Sequence, residues 1–355
     1  MNLFDDTLQA DETVFKNHRA LDYEYLPKNL PYRENEQEYL ATCIKPLFHD
    51  RDGKHLFIHG EPGIGKTAAT RFVLHELRQK TDRINTVYVN CWQKNTSYKV
   101  LLDICEQLDY KFTHNKKTAE LMDVVESILD DEAAVFVFDE IDKANDLDFL
   151  YSILQDIDHK SIFLITNHKA WLSNMDQRLK SRLMPEMLSF DQYSFQETKG
   201  ILERRADYAF YDGVWPDDSF TAVVRKAAQL KDIRSGLFLL KEAANHAEEH
   251  ARKQVTEDDV DAAITKLDDF TIKNSAELNE QKREIYHVVK DHGPGKIGDL
   301  YDTFSDESDA SISYKTFQRK IKDLADAGFL NRTRQTGRGG NTTIVEAASE
   351  DLGSS

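Results

Sequence analysis

Residues 55–67, HLFIHGEPGIGKT, restrict the possible folds more than any other stretch of this sequence. A short apolar run leads into Gly60; Glu61, Pro62, Gly63 and Ile64 follow, then Gly65, Lys66, Thr67 and Ala68, and helix formers continue to Leu77. This is the spacing of a phosphate-binding loop, and both contexts the motif requires, a strand before and a helix after, are present. Backbone N–H groups of such a loop can turn inward onto phosphate oxygens because its glycines have no Cβ, and the new helix points its positive end at the same place. Lys66 can then reach the β- and γ-phosphates of a nucleotide, and the Thr67 hydroxyl is placed to ligate a Mg2+ ion that bridges them. ATP or ADP with Mg2+ is the expected ligand, held along residues 60–68.

A strand feeding such a loop belongs to a parallel α/β sheet, and further strands follow. Residues 86–90 (TVYVN) are β-rich, and residues 98–108 (YKVLLDICEQL) carry apolar side chains at a helical period. Residues 134–142, AVFVFDEID, read as a strand buried on both faces and ending in a carboxylate pair. Asp139 can hold the Mg2+ through water, and Glu140 is the candidate to polarise an attacking water. After a further strand, SIFLIT at 161–166, the Asn167 amide can orient that water or simply close a turn. The alternation implies a doubly wound sheet with its ligand at the carboxyl ends of the strands. Arg178 and Arg182 stand four apart on the next helical segment; one can point at a neighbouring subunit's γ-phosphate, or both can face solvent.

Strand signals stop at residue 192. Helical patterns follow at 195–209, 217–228, 234–246 and 256–267, the last opened by Thr256 and a run of acids. Arg234 begins the third of these, where a cation opposes the helix dipole and invites a phosphate partner. Beyond 270–277 come helices at 278–290, 296–303 and 314–327, a polar loop at 305–313, and two strands around the glycine-rich QTGRGG. Three helices and a hairpin are the winged-helix plan.

Charge limits what that last region can touch. With 63 acidic and 46 basic residues the net charge is −17, which excludes adhesion of the whole surface to nucleic acid. Between Ser311 and Gly340, however, seven Lys/Arg and two acids leave a net of +5. Lys315, Thr316 and Arg319 lie opposite the apolar stripe of Phe317, Ile321 and Leu324, where they can reach a DNA groove; Arg334 can meet a phosphate, and Arg338 at the turn can meet backbone or minor groove. The alternative is a protein-contact module with a solvated basic face. Three cysteines without C-x-x-C spacing suit reduced, packed thiols. No long apolar run and no signal-like start are present, so a cytoplasmic, nucleoid-associated protein without a membrane partner is expected.

In order, LPYRENE, GEPGIGKT, FDEID, the TN after the next strand, KDIRSGLFLLKEAA, VTEDDVDAAI and GFLNRTRQTGRGGNT resemble the archaeal replication initiators of the origin recognition complex and cell division control type, in the AAA+ superfamily. The resemblance spans residues 21–346. It implies an α/β fold, an AAA+ P-loop parallel-sheet domain with a helical lid, followed by a winged-helix DNA-binding domain. The expected divisions are a flexible arm over 1–20, the nucleotide-binding domain over 21–191, the lid over 192–269, a linker over 270–277, the winged helix over 278–346 and a tail over 347–355. Residues 60–67 would be Walker A, Asp139 and Glu140 Walker B, Asn167 sensor 1, and Arg234 the sensor 2 arginine reading the γ-phosphate of its own chain. Arg182, with Arg178 as its rival, would be the arginine finger acting on a neighbour. A DNA-touching element of the family would fall at 96–108, where Lys99 is the only base.

The function this resemblance implies is initiation of replication. A slow ATPase would serve as a switch whose ATP or ADP state tunes binding to double-stranded origin DNA, self-association on it, origin melting and recruitment of an MCM-type replicative helicase. Two other readings share the same residues: a DNA-targeting AAA+ ATPase of transposition or plasmid maintenance, and an ATP-gated winged-helix transcription regulator.

Overall fold

Strands without a polar face have to be covered on both sides, and the runs VFVF at 135–138 and IFLI at 162–165 are buried throughout. This computed structural model describes residues 13–274, 280–308, 312–326, 330–337 and 340–347. Two units divide the chain, residues 1–263 and 264–355. In the first, α1 (Glu34–Ile44) precedes β1 (Leu56–His59), and α2 (Lys66–Lys80) leaves the phosphate loop. Then come β2 (Ile84–Asn90), α3 (Ser97–Gln107), α4 (Thr118–Ile128), β3 (Ala133–Asp139), α5 (Asp148–Asp156), β4 (Lys160–Thr166), α6 (Gln177–Leu183) and β5 (Glu186–Ser189).

The strands pair in parallel in the order β2-β3-β4-β1-β5. Register sets His59 opposite Thr166 and Asn90 opposite Asp139. The phosphate loop, Glu140 and Asn167 therefore leave the sheet along one edge. Alternate strand residues feed two apolar layers: Phe57, Phe136 and Phe138 pack with α3, α4 and α5, while Leu56, Ile58, Val135 and Val137 pack with α1 and α2. Cys43, Cys91 and Cys105 are free thiols buried in these layers. The sequence reading had no separate place for α4, α5 or β5; β5 is a four-residue edge strand that alternates half-buried with exposed residues and so carries no apolar run.

The lid follows as α7 (Phe195–Ala209), α8 (Asp217–Leu230), α9 (Ile233–Glu249) and α10 (Glu257–Asn274). Side chains supply the starts: Ser194 and Glu197 form a capping box on α7, Asp232 accepts from Arg234 N at 2.8 Å on α9, and Asp259 accepts from Thr256 N at 2.8 Å on α10. α10 runs on to Asn274, into the stretch expected as a linker, because DDFTIKN contains neither glycine nor proline to stop it. The arm expected to be flexible over 1–20 is docked from Thr13 onward. Val14, Ala20 and Leu21 are buried, Phe15 bridges to Phe210, and Lys16 N donates to Ala209 O at 2.7 Å. Four scattered apolar residues hold it, too few and too irregular to register as a period.

The second unit contains α11 (Glu280–His292), β6 (Gly295–Lys296), α12 (Ile297–Glu307), α13 (Tyr314–Asp326), β7 (Leu330–Gly337) and β8 (Gly340–Ala347). Its antiparallel sheet has the order β6-β8-β7, completing a winged helix. Phe317, Ile321 and Leu324 of α13 are buried against Ile285, Val289, Leu300 and Phe304. α12 continues past residue 303 into the expected polar loop, since TFSDE also lacks a breaker. Among the described residues no helix is long and apolar enough to cross a membrane.

Candidate nucleotide site and DNA-facing helix

The phosphate loop adopts the conformation its glycines allow: Gly63 and Gly65 have φ of 73° and 91°, in the left-handed region. At Gly63 the approach matters as much as the angle, because a Cβ there would collide with the Asp232 carboxylate. The loop tip thus touches the start of α9, and Ile233 N donates to Gly63 O at 3.4 Å. Arg33, which the sequence reading gave no role beyond its place in LPYRENE, braces the other side of the loop. Only 5% exposed, it donates from Nε to Ile64 O at 3.1 Å and from Nη2 to Asp191 O, with its guanidinium 4.0 Å from the Tyr193 ring centre.

Lys66 opens α2 and is 6% exposed. Its Nζ donates to Gly60 O at 2.8 Å, Glu61 O at 2.6 Å and Asn167 Oδ1 at 2.8 Å. Burial lowers its pKa to about 8, with Asp139 pulling it back up and Arg234 pushing it further down. Asp139 Oδ2 accepts from Thr67 Oγ1 at 2.6 Å and from Tyr88 Oη at 2.7 Å, while Oδ1 accepts from Glu140 N at 2.8 Å. Glu140 has φ 52°, a left-handed turn that swings it off the strand. Burial and then the Asp139 charge raise its pKa, and the Arg234 charge opposes them. Asn167 is framed on both sides: Thr166 Oγ1 donates to Asp142 Oδ1 at 2.7 Å and accepts from His168 N at 3.0 Å.

These groups line a cleft of about 300 Å³ between the strand ends and the lid. The proline-containing stretch before α1 closes one side, with Tyr23, Tyr25, Leu26 and Pro27 in its wall. Arg205 of α7 ties this strap to the lid, donating from Nη1 to Tyr25 O at 3.0 Å and from Nη2 to Asp22 O at 2.8 Å. Sequence patterning missed Arg205 and Tyr88 because each is one polar residue in an otherwise ordinary helix or strand. The buried Lys66 ammonium and the loop glycines, where a Cβ would strike Phe190, Asp232 or Tyr193, suit a phosphate, and the oxygen donors Thr67 and Asp139 suit a hard cation such as Mg2+. Arg234 is exposed and lines the cleft. Arg178 and Arg182 are exposed and lie outside their own chain's cleft; the Arg182 guanidinium sits 4.8 Å from the Tyr151 ring centre.

A second cluster of possible cation ligands, His246, His250 and Asp259, is a satisfied structural junction. Asp259 accepts from Thr256, His246 and Arg252, joining the end of α9 to the start of α10. In the second unit Lys315 and Arg319 are exposed on α13, and Thr316 is half-buried with its N donating to Ser313 Oγ at 3.3 Å. Arg334 occupies β7 opposite Thr343, and Arg338 lies outside the described residues. Lys99, on α3, meets Asn95 Oδ1 at 3.2 Å beside an ion pair of Lys94 with Asp103, so that helix presents little free positive charge.

Residues 49–171 match the family described as AAA domain, and residues 199–265 match the Cdc6 AAA+ ATPase-type lid domain. The chain is 34% identical over 289 residues to the ORC1-type DNA replication protein 1 of Sulfurisphaera tokodaii, covering 78% of this chain and 69% of that protein. It is 29% identical over 330 residues to the ORC1-type DNA replication protein 2 of Archaeoglobus fulgidus, covering 89% and 86%. Its fold is similar to that of the Aeropyrum pernix ORC1 protein solved in complex with DNA, with a TM-score of 0.68, 25% identity and coverage of 96% and 95%. The A. pernix ORC2 protein, solved as ADPNP–ADP complexes, shares the fold at a TM-score of 0.65 and 19% identity, with 95% of each chain covered.

Proposed function

Because the chain belongs to the archaeal ORC1/Cdc6-type DNA replication initiators of the AAA+ class, we propose that it is a nucleotide-gated origin binder. ATP and ADP set its affinity for double-stranded origin DNA, and the ATP form favours self-association on DNA, origin melting or recruitment of an MCM-type helicase. The observation that carries this reading is the meeting of loop and lid: Gly63 abuts Asp232 two residues before Arg234, whose charge is felt at both Lys66 and Glu140. A lid whose arginine faces the γ-phosphate settles at different angles for ATP and ADP.

Residues 60–68 hold the phosphates, with Lys66 donating to the β- and γ-oxygens. Thr67 and Asp139 hold Mg2+, which when bound neutralises phosphate charge. Glu140, with its raised pKa, takes a proton from the attacking water; Asn167, framed by Asp142 and Thr166, orients that water. Arg182, or Arg178, completes the site of a neighbouring subunit. Slow hydrolysis then acts as a timer on the ATP form. On DNA, Lys315, Thr316 and Arg319 face a groove, Arg334 meets phosphate and Arg338 meets backbone or minor groove. The test compares footprints on origin DNA with ATP, with ADP and with the Glu140→Gln protein in ATP. Gating predicts a distinct ATP footprint that Glu140→Gln prolongs; identical footprints and identical helicase loading in all three end it.

A further inference from the structure

Asp139 is more heavily held than its place in the phosphate-loop scheme requires, and one of its donors comes from a residue with no assigned part in that scheme. Tyr88 stands on β2 opposite Val137 of β3, so Asp139 is its diagonal neighbour two residues further along the same face. From there its hydroxyl reaches Asp139 Oδ2 at 2.7 Å, beside Thr67 Oγ1 at 2.6 Å on the same oxygen. The other oxygen accepts from Glu140 N at 2.8 Å. Asp139 is 4% exposed, so no bulk water competes for these lone pairs. Tyr88 itself lines the cleft, with the Arg71 guanidinium 5.7 Å from its ring centre. A carboxylate's terminal torsion is broad and soft. Three donors from three different elements, β2, α2 and the turn after β3, hold this one still.

We propose that Tyr88 is a positioning residue: its hydroxyl fixes the Asp139 carboxylate so that Oδ2 faces Thr67, presetting the oxygen pair that takes Mg2+ with the nucleotide. This deepens the function proposed above and rests on its reading of Thr67 and Asp139 as the Mg2+ partners. Outer partners that orient a metal-binding carboxylate typically change metal affinity by about 10–100-fold. Since Tyr88 is one of three donors, the lower end is expected.

The experiment measures the affinity of the full-length protein for fluorescent N-methylanthraniloyl-ADP twice, in excess Mg2+ and in EDTA at matched ionic strength. Tyr88→Phe keeps the ring and removes only the hydroxyl. It should lose roughly tenfold of the Mg2+-dependent gain while its EDTA affinity stays within about twofold of wild type, and that EDTA binding also reports that the variant is folded. Asp139→Asn should abolish the gain, and Tyr88→Phe added to it should change nothing further, because the tyrosine acts through that carboxylate. A wild-type gain retained in Tyr88→Phe overturns the inference alone, as does equal weakening with and without Mg2+. Wild-type protein that binds ADP equally in Mg2+ and EDTA overturns the Mg2+ reading of Thr67 and Asp139 as well.

Discussion

Lys66 in the cleft and Arg319 on α13 are both cations that this reading directs at a polyanion, the nucleotide for one and DNA for the other, yet the fold places them under opposite conditions. Lys66 is 6% exposed with three oxygen partners drawn from the loop and from Asn167 just after β4, whereas Arg319 stands on an open helix face. A buried ammonium costs desolvation free energy, which is why its pKa falls to about 8, and it repays that cost only if every neighbour is in place. An exposed guanidinium costs the fold almost nothing, and its attraction to a phosphate is screened by salt. The cleft should therefore fail through single atoms and respond to pH, while the helix face should fail in increments and respond to ionic strength.

The largest effect expected is on turnover. Glu140→Gln should slow phosphate release by about 1000-fold while nucleotide affinity holds; unchanged turnover removes Glu140 from the chemistry. Next, Lys66→Ala should weaken ATP binding roughly 100-fold by equilibrium titration, since charge-assisted hydrogen bonds contribute about 1.5–3 kcal/mol; a loss below about fivefold would erase the contrast with α13.

The buried side of the comparison also predicts a pH response at the foot of β1. His55 Nδ1 accepts from Ile162 N at 3.1 Å, and burial, assisted by Lys160, lowers its pKa to about 4. The folded state thus binds the proton less readily than the unfolded chain, whose histidine titrates near about 6.5. Stability is fully present above that value and falls as pH drops toward 4. Denaturant titrations should show a loss of about 2 kcal/mol between pH 7 and pH 5, and His55→Gln should flatten the slope. The smallest effect belongs to α13. Arg319→Ala should weaken DNA binding roughly five- to tenfold at low salt and reduce the slope of log K against log salt by about 0.9. A loss independent of salt would mean base readout instead.

Much of this was legible because the signals were local. GEPGIGKT needs only its own spacing, VFVFDE announces a buried strand with acids at its end, and Phe317, Ile321 and Leu324 select the face of α13 that leaves Lys315 and Arg319 outside. Sequence patterning did not find Arg33, Arg205 or Tyr88. Each does its work on a backbone carbonyl or carboxylate from another element, and nothing in its own neighbourhood marks it. Docking of residues 13–21 was hidden for the same reason: Val14, Phe15 and Leu21 have no period, and their partners lie on the lid.

By itself, then, the sequence determined most of the strands and helices, the glycine-rich turn between β1 and α2, and which face of α13 leaves Lys315 and Arg319 outside. These depend on nearest neighbours along the chain, on glycine freedom and on side-chain period. Only the tertiary structure decided that Lys66 meets Asn167, 101 positions away, that Asp139 is gripped by Thr67 and Tyr88, and that the loop tip at Gly63 rests on Asp232. The first two follow from strand order and register, which align the ends of β1, β2, β3 and β4, and the third from the lid packing on the loop. No local pattern encodes that alignment, because it arises from how the whole sheet buries its two faces.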